Sequence, residues 1–496
     1  MNAPVAEMIP YFIVLPLTVA VLVQLLARRR DALAAGLAGL CMLALALMSL
    51  AAALSGAGGE VVYNMGGWAT PIGIDLRLDG LTALLLLTVN TVALAVALYA
   101  ADYMQTFTAR PRFYSLFLLM VTGMNGVVMT GDLFNLYVFL EISAIASYAL
   151  VAFGCEREEL EASFKYIVLG SVSSSLILIA LALMYGVTGA LNMAQVSARV
   201  AAGGMDAPLT LAFALFICGF AFKAALVPFH AWLPDAHPAA PAPVSALLSG
   251  VLIKAVGIYV LARLVFNVFG PVAGVLELLC WLGLASMVVG ALAALGQNDI
   301  KRMFAYSSIS QAGFIVLGFG LATPLGLVGA LYHLVNHALF KSLLFLNAGA
   351  VEYCTGTRKL DELGGLNRAL PVTGATSLVG SMSIAGIPPF NGFWSKLIII
   401  LACVEAGRYG FAVVAVAVSI VTLAYQLKVQ HRAFFAALPE ALGAVKREPR
   451  RMALAMILLA VGCVALSFAV ITGLGDPLLI GDAQAVLSAG IFGAQP

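Results

Sequence analysis

The stretch KAALVPFHAWLPDAHPAAPAPVSALLSGVLIK, residues 223–254, holds the features from which the fold can be worked out. A lysine stands at each end in strongly apolar surroundings, and five prolines, two histidines, an aspartate and a tryptophan lie between them. Prolines break helices, and charged side chains are costly in apolar surroundings. The stretch therefore predicts a turn between two apolar helices, each of which carries one of the two lysines, Lys223 and Lys254.

The rest of the chain shares this apolar character. It has 496 residues, of which 62% are hydrophobic and 10% charged, whereas about a quarter of the residues in a soluble domain are charged. A bilayer core about 30 Å thick needs about 20 apolar residues per helix. Fourteen such stretches can be marked: 8–27, 32–54, 76–100, 113–130, 132–153, 164–189, 209–229, 242–266, 271–295, 302–321, 325–351, 372–400, 408–435 and 452–474. We predict an all-α polytopic membrane protein with about 14 transmembrane helices in a single membrane domain.

The basic residues predict the orientation of these helices. Because MNAPVAEM has no positive charge, we expect the N-terminus to be a first span and not a cleaved signal. With this end outside, 17 of the 26 basic residues fall on the cytoplasmic side, as the positive-inside rule requires. They are Arg28, Arg29, Arg30, Arg110, Arg112, Arg157, Lys301, Arg302, Arg358, Lys359, Arg368, Lys428, Arg432, Lys446, Arg447, Arg450 and Arg451. We expect an inner (plasma) membrane protein with both termini on the outer, periplasmic side.

A few charged residues fall inside the predicted spans. Of the nine basic residues not on the cytoplasmic side, Arg77, Arg199, Arg263 and Arg408 fall on the opposite face and its helix ends. The five that remain are all lysines: Lys165, Lys223, Lys254, Lys341 and Lys396. The acid in mid-span is Glu141, for which Lys223 and Lys165 are candidate partners. A charge at the bilayer centre costs about 2.5–3.5 kcal/mol, so such residues normally face a hydrated interior. Since a buried lysine can lose its proton whereas arginine stays charged, the pattern favours a proton-conducting axis over purely structural ion pairs.

Two histidines share a helix face with one of these lysines. His333, His337 and Lys341 are spaced i, i+4 and i+8, which places them within about 80° of arc. Two histidines at this spacing can bind zinc, but no Glu or Cys follows at ligand spacing. Histidine titrates near neutral pH, which favours a proton relay; packed core histidines and a metal site are the alternatives. We expect no metal and no cofactor in this chain.

Helix breakers interrupt two of the spans. Pro228 and Pro234 interrupt the seventh span, and Gly386, Pro388 and Pro389 interrupt the twelfth. Broken membrane helices line cavities, and paired breaks are typical of inverted-repeat transporters. The separation of five spans predicts two inverted five-helix repeats, each with a broken helix. The predicted boundaries are 1–112 for the N-terminal helices, 113–266 for the first repeat, 271–435 for the second repeat, and 436–496 for the C-terminal helix and tail.

Longer motifs around these residues resemble one known family. They are DLFNLYVFLEI (132–142), PFHAWLPDAHPAAPAPVSALLSGVLIK (228–254), IKRMFAYSSISQAG (300–313), HLVNHALFKSLLFLNAGA (333–350) and GIPPFNGFWSK (386–396). Over about residues 75–435 the chain resembles the antiporter-like subunits shared by Mrp-type sodium/proton antiporters, respiratory complex I and membrane-bound energy-converting hydrogenases. The resemblance implies fourteen helices with two inverted repeats.

The resemblance also implies roles for the charged residues. Glu141 and Lys223 match the family's Glu–Lys pair, and Lys254 matches its central lysine. Lys396 matches the lysine at the second broken helix, and Lys165 a lysine early in the sixth span. The link between two half-channels corresponds to His333, His337 and Lys341. Two further histidines, His230 and His237, fall in or near the turn. We interpret them as entrance or structural residues.

Three details of the motifs indicate which type of subunit in this family the chain resembles. Lysine at position 396 argues against the M-type subunit of complex I, and the short tail after residue 474 argues against the L-type. The sequence of residues 228–250 differs from the corresponding motif of the N-type subunit. The resemblance is therefore to the D-type subunit of an Mrp antiporter, or to its counterpart in a hydrogenase or related complex.

The predicted function is proton translocation, with sodium/proton antiport as a narrower form of it, by one subunit of a multi-subunit complex. The expected partners are other membrane subunits, protons, sodium ions in the antiport case, and the lipid bilayer; no basic tract suggests nucleic acid. The chain has no redox motif, so in an oxidoreductase complex the partner subunits would carry the electrons. A stand-alone transporter of a small anion and a silent membrane anchor are the alternatives.

Overall fold

Helices dominate the structure because a membrane helix satisfies its backbone hydrogen bonds within one segment. The computed structural model describes residues 3–28, 30–55, 59–442, 445–471 and 480–490. Its α-helices, numbered in chain order, are α1 (Ala3–Met8), α2 (Tyr11–Leu26), α3 (Asp31–Leu54), α4 (Gly80–Tyr103), α5 (Arg110–Met129), α6 (Leu133–Val151), α7 (Arg157–Thr188), α8 (Met193–Gly203), α9 (Ala207–Lys223), α10 (Leu233–Ala239), α11 (Ala242–Leu247), α12 (Tyr259–Arg263), α13 (Ala273–Leu295), α14 (Ile300–Leu321), α15 (Pro324–Thr355), α16 (Leu366–Ala369), α17 (Pro371–Ala385), α18 (Asn391–Glu405), α19 (Tyr409–Val429), α20 (Arg450–Ile471) and α21 (Ile480–Ser488).

The predicted spans can be compared with these helices. Among the described residues, twelve helical segments are long and apolar enough to cross a membrane by length and composition. The seventh and twelfth predicted spans correspond instead to shorter helices, α9 with 17 residues and the pair α17 and α18 with 15 each. The all-α polytopic architecture with two interrupted spans is therefore confirmed, while the count of fourteen crossings and the inversion of the repeats stay predictions.

One small element was not predicted from the sequence. Strands β1 (Val61–Asn64) and β2 (Asp75–Leu78) form an antiparallel hairpin in the connection before α4, with Val61 opposite Leu78. Leu76 of β2 also forms an isolated antiparallel bridge with Thr130, the residue that follows α5. The hairpin thus lies against one end of the helical bundle.

Many helices begin at an acidic or polar side chain that caps the first turn. Asp79, Asp132, Asp206 and Asp299 each accept a hydrogen bond from a backbone N–H three residues further on. Such caps replace the missing hydrogen bonds of a helix N-terminus. Several acids near the ends of the spans therefore have a local structural role.

The stretch 223–254 forms the first interrupted span. Helix α9 ends at Lys223, the chain turns through residues 224–232, and α10 and α11 follow. Polar contacts hold the turn in place, since Val227 N–H donates to Ser286 Oγ (2.9 Å) and Trp232 Nε1–H donates to the Phe222 carbonyl (3.0 Å). A break inside a membrane bundle needs such partners for its freed backbone groups.

Two segments form the centre of the bundle. The continuous helical segment Ala242–Val268 and helix α15 are the most enclosed of the candidate spans. Residues Leu248–Ile258 and Leu264–Val268 of the first segment are wound as π-helix. The π-helix is rare and recurs at functional sites. Lys254 lies in its first π-helical part, and three further predicted site residues lie on α15.

Candidate functional site

The acid and the first lysine are joined through a serine. Lys223, at the end of α9, donates a hydrogen bond to Ser174 Oγ on α7 at 3.0 Å, and Ser174 donates to Glu141 Oε1 on α6 at 2.5 Å. The Lys223 Nζ to Glu141 Oε1 distance is 3.8 Å. The lysine side chain is 8% exposed and the glutamate 26%. The predicted Glu–Lys pair is thus present, with a hydroxyl between the two charges.

Lys165 lies elsewhere. Its Nζ is 2.8 Å from Glu161 and 3.0 Å from Asp235, and its side chain is 46% exposed. Helix α7 begins at Arg157, so Lys165 lies only about two turns from the end of the helix. The expectation that Lys165 is a candidate partner of Glu141 is corrected, because its charge is already balanced by two carboxylates outside the buried axis.

A small cavity lies between Lys223 and the helical segment that carries the central lysine. It has a volume of about 20 Å³ and is lined by Lys223, Leu252 and Val256, the last two of which flank Lys254. A cavity of this size holds about one water molecule. Lys254 itself is 1% exposed and donates to the carbonyl of Ser249, one turn earlier in the π-helical segment.

The face of α15 that carries Lys341 is buried throughout. Lys341 donates to the Phe304 carbonyl (2.6 Å), and its Nζ lies 5.4 Å and 5.7 Å from the ring centroids of Phe304 and Phe345. The rings of His333 and His337 are 6.4 Å apart, as expected for neighbours on one face. The predicted face is therefore present, and it points into the bundle.

The two histidines of this face have different surroundings. His333 Nδ1 is 2.9 Å from Ser395 Oγ, and its Nε2 is 3.2 Å from Gln311 Oε1. Both ring nitrogens of His337 are buried with no partner among the described protein groups. His337 lies within electrostatic range of several other basic site residues: Lys254, Lys341, His333 and Lys396. These groups repel one another when they are protonated, so a proton held by one disfavours a proton on its neighbours.

Lys396 lies beside the second break. Helix α17 ends at Ala385, the next residue Gly386 has a φ of +78°, and α18 begins at Asn391. Lys396 is 3% exposed, donates to the Ile384 carbonyl (2.7 Å), and lies 4.8 Å from the centroid of the Phe314 ring. A cavity of about 200 Å³ adjoins it, bounded also by Gly386 and by Ser419 of α19. The break therefore leaves Lys396 next to open space.

The three inner lysines share one property. Among the described residues, none of Lys254, Lys341 and Lys396 forms an ion pair with a carboxylate, and each donates to a backbone carbonyl. A charged ammonium without a counter-ion is expensive in such surroundings, whereas a neutral amine is not. The setting is suited to a group that gains and loses a proton.

The two histidines within residues 223–254, His230 and His237, differ in how deeply they are buried. His230 is half-buried in the turn, as expected for an entrance or structural residue. The prediction that His237 also lies in or near the turn is corrected, because α10 carries it into the bundle, where it is fully buried and packs edge-on against Phe345 at 5.5 Å. Lys254 and Lys341 both interact electrostatically with its ring. The helical turn formed by LPDAHPA accounts for this correction.

Several polar residues of the site were missed. Ser174, Gln311 and Ser395 contact predicted site residues, and Asn336 of α15 pairs with Asn391 at the second break (2.9 Å). They are uncharged, and such residues are frequent in apolar helices for packing reasons. The sequence signal that could have found them is a polar residue on the same helix face as a histidine or lysine that lies inside a span.

Two buried ion pairs were also missed. Arg263 Nη2 lies 2.6 Å from Asp79, and both side chains are buried. Lys301, which the sequence predicts among the cytoplasmic loop residues, is 2% exposed and pairs with Glu352 at 2.8 Å. Both pairs lie near helix ends, so sequence position alone suggested exposed loops.

Together these features define a class: a polytopic membrane protein with a buried row of lysines and histidines that runs between two broken helices. Comparison with known proteins identifies the family. Residues 130–422, more than half of the chain, match the family model described as "NADH:quinone oxidoreductase/Mrp antiporter, TM". Residues 66–114 match "NADH-Ubiquinone oxidoreductase (complex I), chain 5 N-terminus". The chain belongs to this family of membrane subunits.

Relatives within the family have different names. The chain is 39% identical over 437 residues to the N-type subunit of NADH-quinone oxidoreductase from Desulforudis audaxviator, covering 86% of each chain. It is 36% identical over 378 residues to the D-type subunit of the Na(+)/H(+) antiporter from Alkalihalophilus pseudofirmus, covering 76% of each. The sequence difference from the N-type at residues 228–250 therefore does not exclude a close relationship with proteins named as N-type subunits.

Solved structures show the same fold over nearly the whole chain. A chain of the Mrp complex from Dietzia sp. DQ12-45-1b matches with a TM-score of 0.90 and 30% identity, over 97% of both chains. A chain of the membrane-bound sulfane sulfur reductase, an archaeal respiratory membrane complex, matches with a TM-score of 0.89 and 33% identity, over 97% of this chain and 98% of that one. Both neighbours are chains of multi-subunit membrane assemblies.

Proposed function

We propose that this chain is a proton-translocating subunit of a multi-subunit membrane complex. The observation that supports this most strongly is the set of buried inner lysines, Lys254, Lys341 and Lys396, which have carbonyl oxygens and no carboxylates as partners among the described residues. Relatives named as antiporter subunits, and structural neighbours taken from multi-subunit complexes, agree with the proposal.

The first half of the pathway uses the Glu141–Lys223 pair. With Glu141 ionised, the charged form of Lys223 is favoured through Ser174. Approach of another charge weakens this attraction and lowers the affinity of Lys223 for its proton. The proton then moves towards Lys254, whose π-helical segment packs against α9.

The second half crosses α15 and ends at the second break. Lys254 passes the proton to the face formed by His337, His333 and Lys341, because the π-helical segment that carries Lys254 packs directly against α15. Lys396 receives it and releases it at the second break, between α17 and α18. Breaks in the flanking helices supply the polar backbone groups that a hydrated path needs.

The wider setting is part of the proposal. We place the chain in the inner (plasma) membrane with both termini outside, and with residues 113–266 and 271–435 as two inverted repeats. The partners are further membrane subunits and the surrounding lipid, and the transported ions are protons, exchanged for sodium in the antiporter form. Relatives of the D-type and of quinone oxidoreductases support such a host complex, in which other subunits supply any redox chemistry.

The proposal is tested by neutral substitutions in the first pair. Glu141→Gln and Lys223→Met in the assembled complex should each lower proton translocation into vesicles by at least about tenfold, because the charge interaction that sets proton affinity is lost. Lys165→Met is the matched control, since this lysine lies outside the axis, and it should leave the rate near that of the parent. Normal assembly with full translocation in both pair variants would refute the proposal.

The rival functions predict different results. A stand-alone anion transporter would move its substrate in proteoliposomes that contain this chain alone, and the loss of Lys223 would abolish that uptake. A silent anchor would show a loss of complex assembly in every variant with no specific loss of proton flux. Measuring assembly and flux on the same vesicles separates the three.

A further inference from the structure

A groove on the surface of the bundle lies away from the proposed pathway. It has a volume of about 650 Å³ and runs between α3, α4 and α20, with the start of α5 at one end. Its walls are apolar, with Leu40, Leu43, Leu98 and Leu458 among the lining residues. Leu40 is 68% exposed, so these residues present an open apolar surface.

The charged residues of the groove are confined to one end. Arg110 lies 3.3 Å from Asp31 there, and Arg451, which is 60% exposed, lies 3.8 Å from Asp102. Exposed arginines also stand next to these residues in the sequence: Arg28, Arg30, Arg112 and Arg450. The rim therefore holds more positive than negative charge. Basic pockets between membrane helices at the level of the headgroups are suited to anionic lipids.

The length of the groove matches one leaflet of a bilayer. On α3 its lining extends from Asp31 to Leu43, about 18 Å at 1.5 Å per residue. On α4 the lining begins at Leu94, so only the half nearer Tyr103 takes part. Half of a hydrocarbon core is about 15 Å, whereas a transmembrane helix of a partner spans about 30 Å. The groove is too short for such a helix and long enough for an acyl chain.

Glycines keep the floor of the groove open. Gly36 and Gly39 line it, and a Cβ atom added at either position would meet no other atom within 4 Å. Larger side chains would therefore occupy the groove itself without displacing the helices. We propose that the groove binds one acyl chain of an anionic phospholipid, whose phosphate lies at the basic end of the groove against the exposed Arg451.

The experiment is native mass spectrometry of the full-length chain titrated with phosphatidylglycerol or with phosphatidylcholine of the same acyl chains. Phosphatidylglycerol should bind more tightly, and Arg451→Gln should reduce this preference by about fivefold, because one basic residue at the headgroup level is removed. Arg432→Gln, a change at another exposed arginine, is the control and should leave the preference intact. Equal binding of both lipids by the parent would overturn the proposal.

A second pair of variants tests the acyl slot. Gly39→Phe should lower the binding of both lipids several-fold by filling the groove. The control Gly186→Phe, at an exposed position of α7 where an added Cβ also meets nothing, should not. In the assembled complex a Gly39→Cys variant should stay close to lipid. Its cross-linking to a neighbouring subunit, with loss of the bound lipid on assembly, would assign the groove to a protein partner and overturn the proposal.

Discussion

At the scale of single residues, Ser174 is the group on which the first pair depends. It accepts a hydrogen bond from Lys223 and donates one to Glu141. The Lys223 Nζ and Glu141 Oε1 atoms are 3.8 Å apart. We expect Ser174→Ala to lower proton translocation by about tenfold, since losing one partner of a buried charged group costs about 1–3 kcal/mol. Flux in vesicles with the assembled complex is the measurement.

Ser175 provides the control for this prediction. It is the next residue of α7 and its side chain is exposed on another face of the helix. Ser175→Ala should therefore leave the flux unchanged. If Ser174→Ala had no more effect than Ser175→Ala, the serine would be a packing residue and the direct pair would act without it.

His337 can be separated from a packed core histidine by measuring two quantities. Both of its ring nitrogens lack a partner among the described protein groups, so replacing the ring by an apolar side chain removes a buried polar group. We expect His337→Met to leave the melting temperature unchanged or raised and to lower the flux at least about tenfold. A lower melting temperature with normal flux would show a structural histidine instead.

The charged members of the site were predictable from the sequence and the uncharged ones were not. Glu141, Lys223 and Lys254 could be found because a charge within an apolar run is costly and therefore informative. The bridging role of Ser174 depends on how α6, α7 and α9 pack, which no local pattern shows. Lys165 also lies in an apolar run, but being near the helix end it reaches carboxylates outside the axis.

At the scale of elements, the second break depends on one glycine. Gly386 has φ of +78°, a backbone region that side chains with a Cβ rarely adopt, and an added Cβ would lie 3.0 Å from Lys396 Cδ. We expect Gly386→Ala to lower the stability by about 1 kcal/mol and to reduce the flux, because it shifts Lys396 from the Ile384 carbonyl. Thermal melting and vesicle flux test this prediction.

A glycine on the neighbouring helix serves as its control. At Gly410 of α19 an added Cβ meets nothing within 4 Å, and its φ is not in the left-handed region. Gly410→Ala should leave both stability and flux near the parent values. A Gly386→Ala variant that behaved in the same way would show that the break tolerates a regular side chain.

The elements differ in how far the sequence predicts them. Prolines and glycines marked both breaks correctly, because they interrupt long apolar runs. The π-helical winding of Leu248–Ile258 had no comparable signal, since its residues also suit an α-helix. The seven-residue helix α10 was not predicted either, because its prolines favour a turn, and this is why His237 was expected outside the buried interior.

At the scale of the whole molecule, a buried ion pair joins α4 to α12, which lie far apart in the sequence. Asp79 caps α4 through Thr82 N–H and pairs with Arg263 of α12. Asp79→Asn keeps the cap but removes the carboxylate charge that pairs with Arg263, and breaking such a buried pair costs about 3–5 kcal/mol. We expect a clear fall in the melting temperature of the purified chain.

Asp206 supplies the control for the cap itself. It caps α9 through Leu209 N–H (2.9 Å) and forms no salt bridge among the described residues. Asp206→Asn should therefore change the melting temperature little. Equal effects of the two substitutions would show that the pair with Arg263 contributes nothing beyond the cap.

The overall architecture was the most predictable level. The length of the apolar runs indicates the positions of the spans, and fold and family agree with the resemblance carried by the motifs. What the sequence could not show was which ion pairs join distant helices, because Asp79 and Arg263 are 184 positions apart. Their proximity depends on the packing of the complete bundle.

In the proposed pathway, protons cross the bundle through lysines that have no carboxylate partner among the described residues. Lys254 is the most direct test, because it lies between the Glu141–Lys223 pair and the α15 face and is almost completely buried. Proton flux should be measured in vesicles that carry the assembled complex with Lys254→Met, which preserves the volume of the side chain and removes the titratable group. We predict normal assembly with a loss of flux of at least about tenfold; normal assembly with full flux would contradict the account.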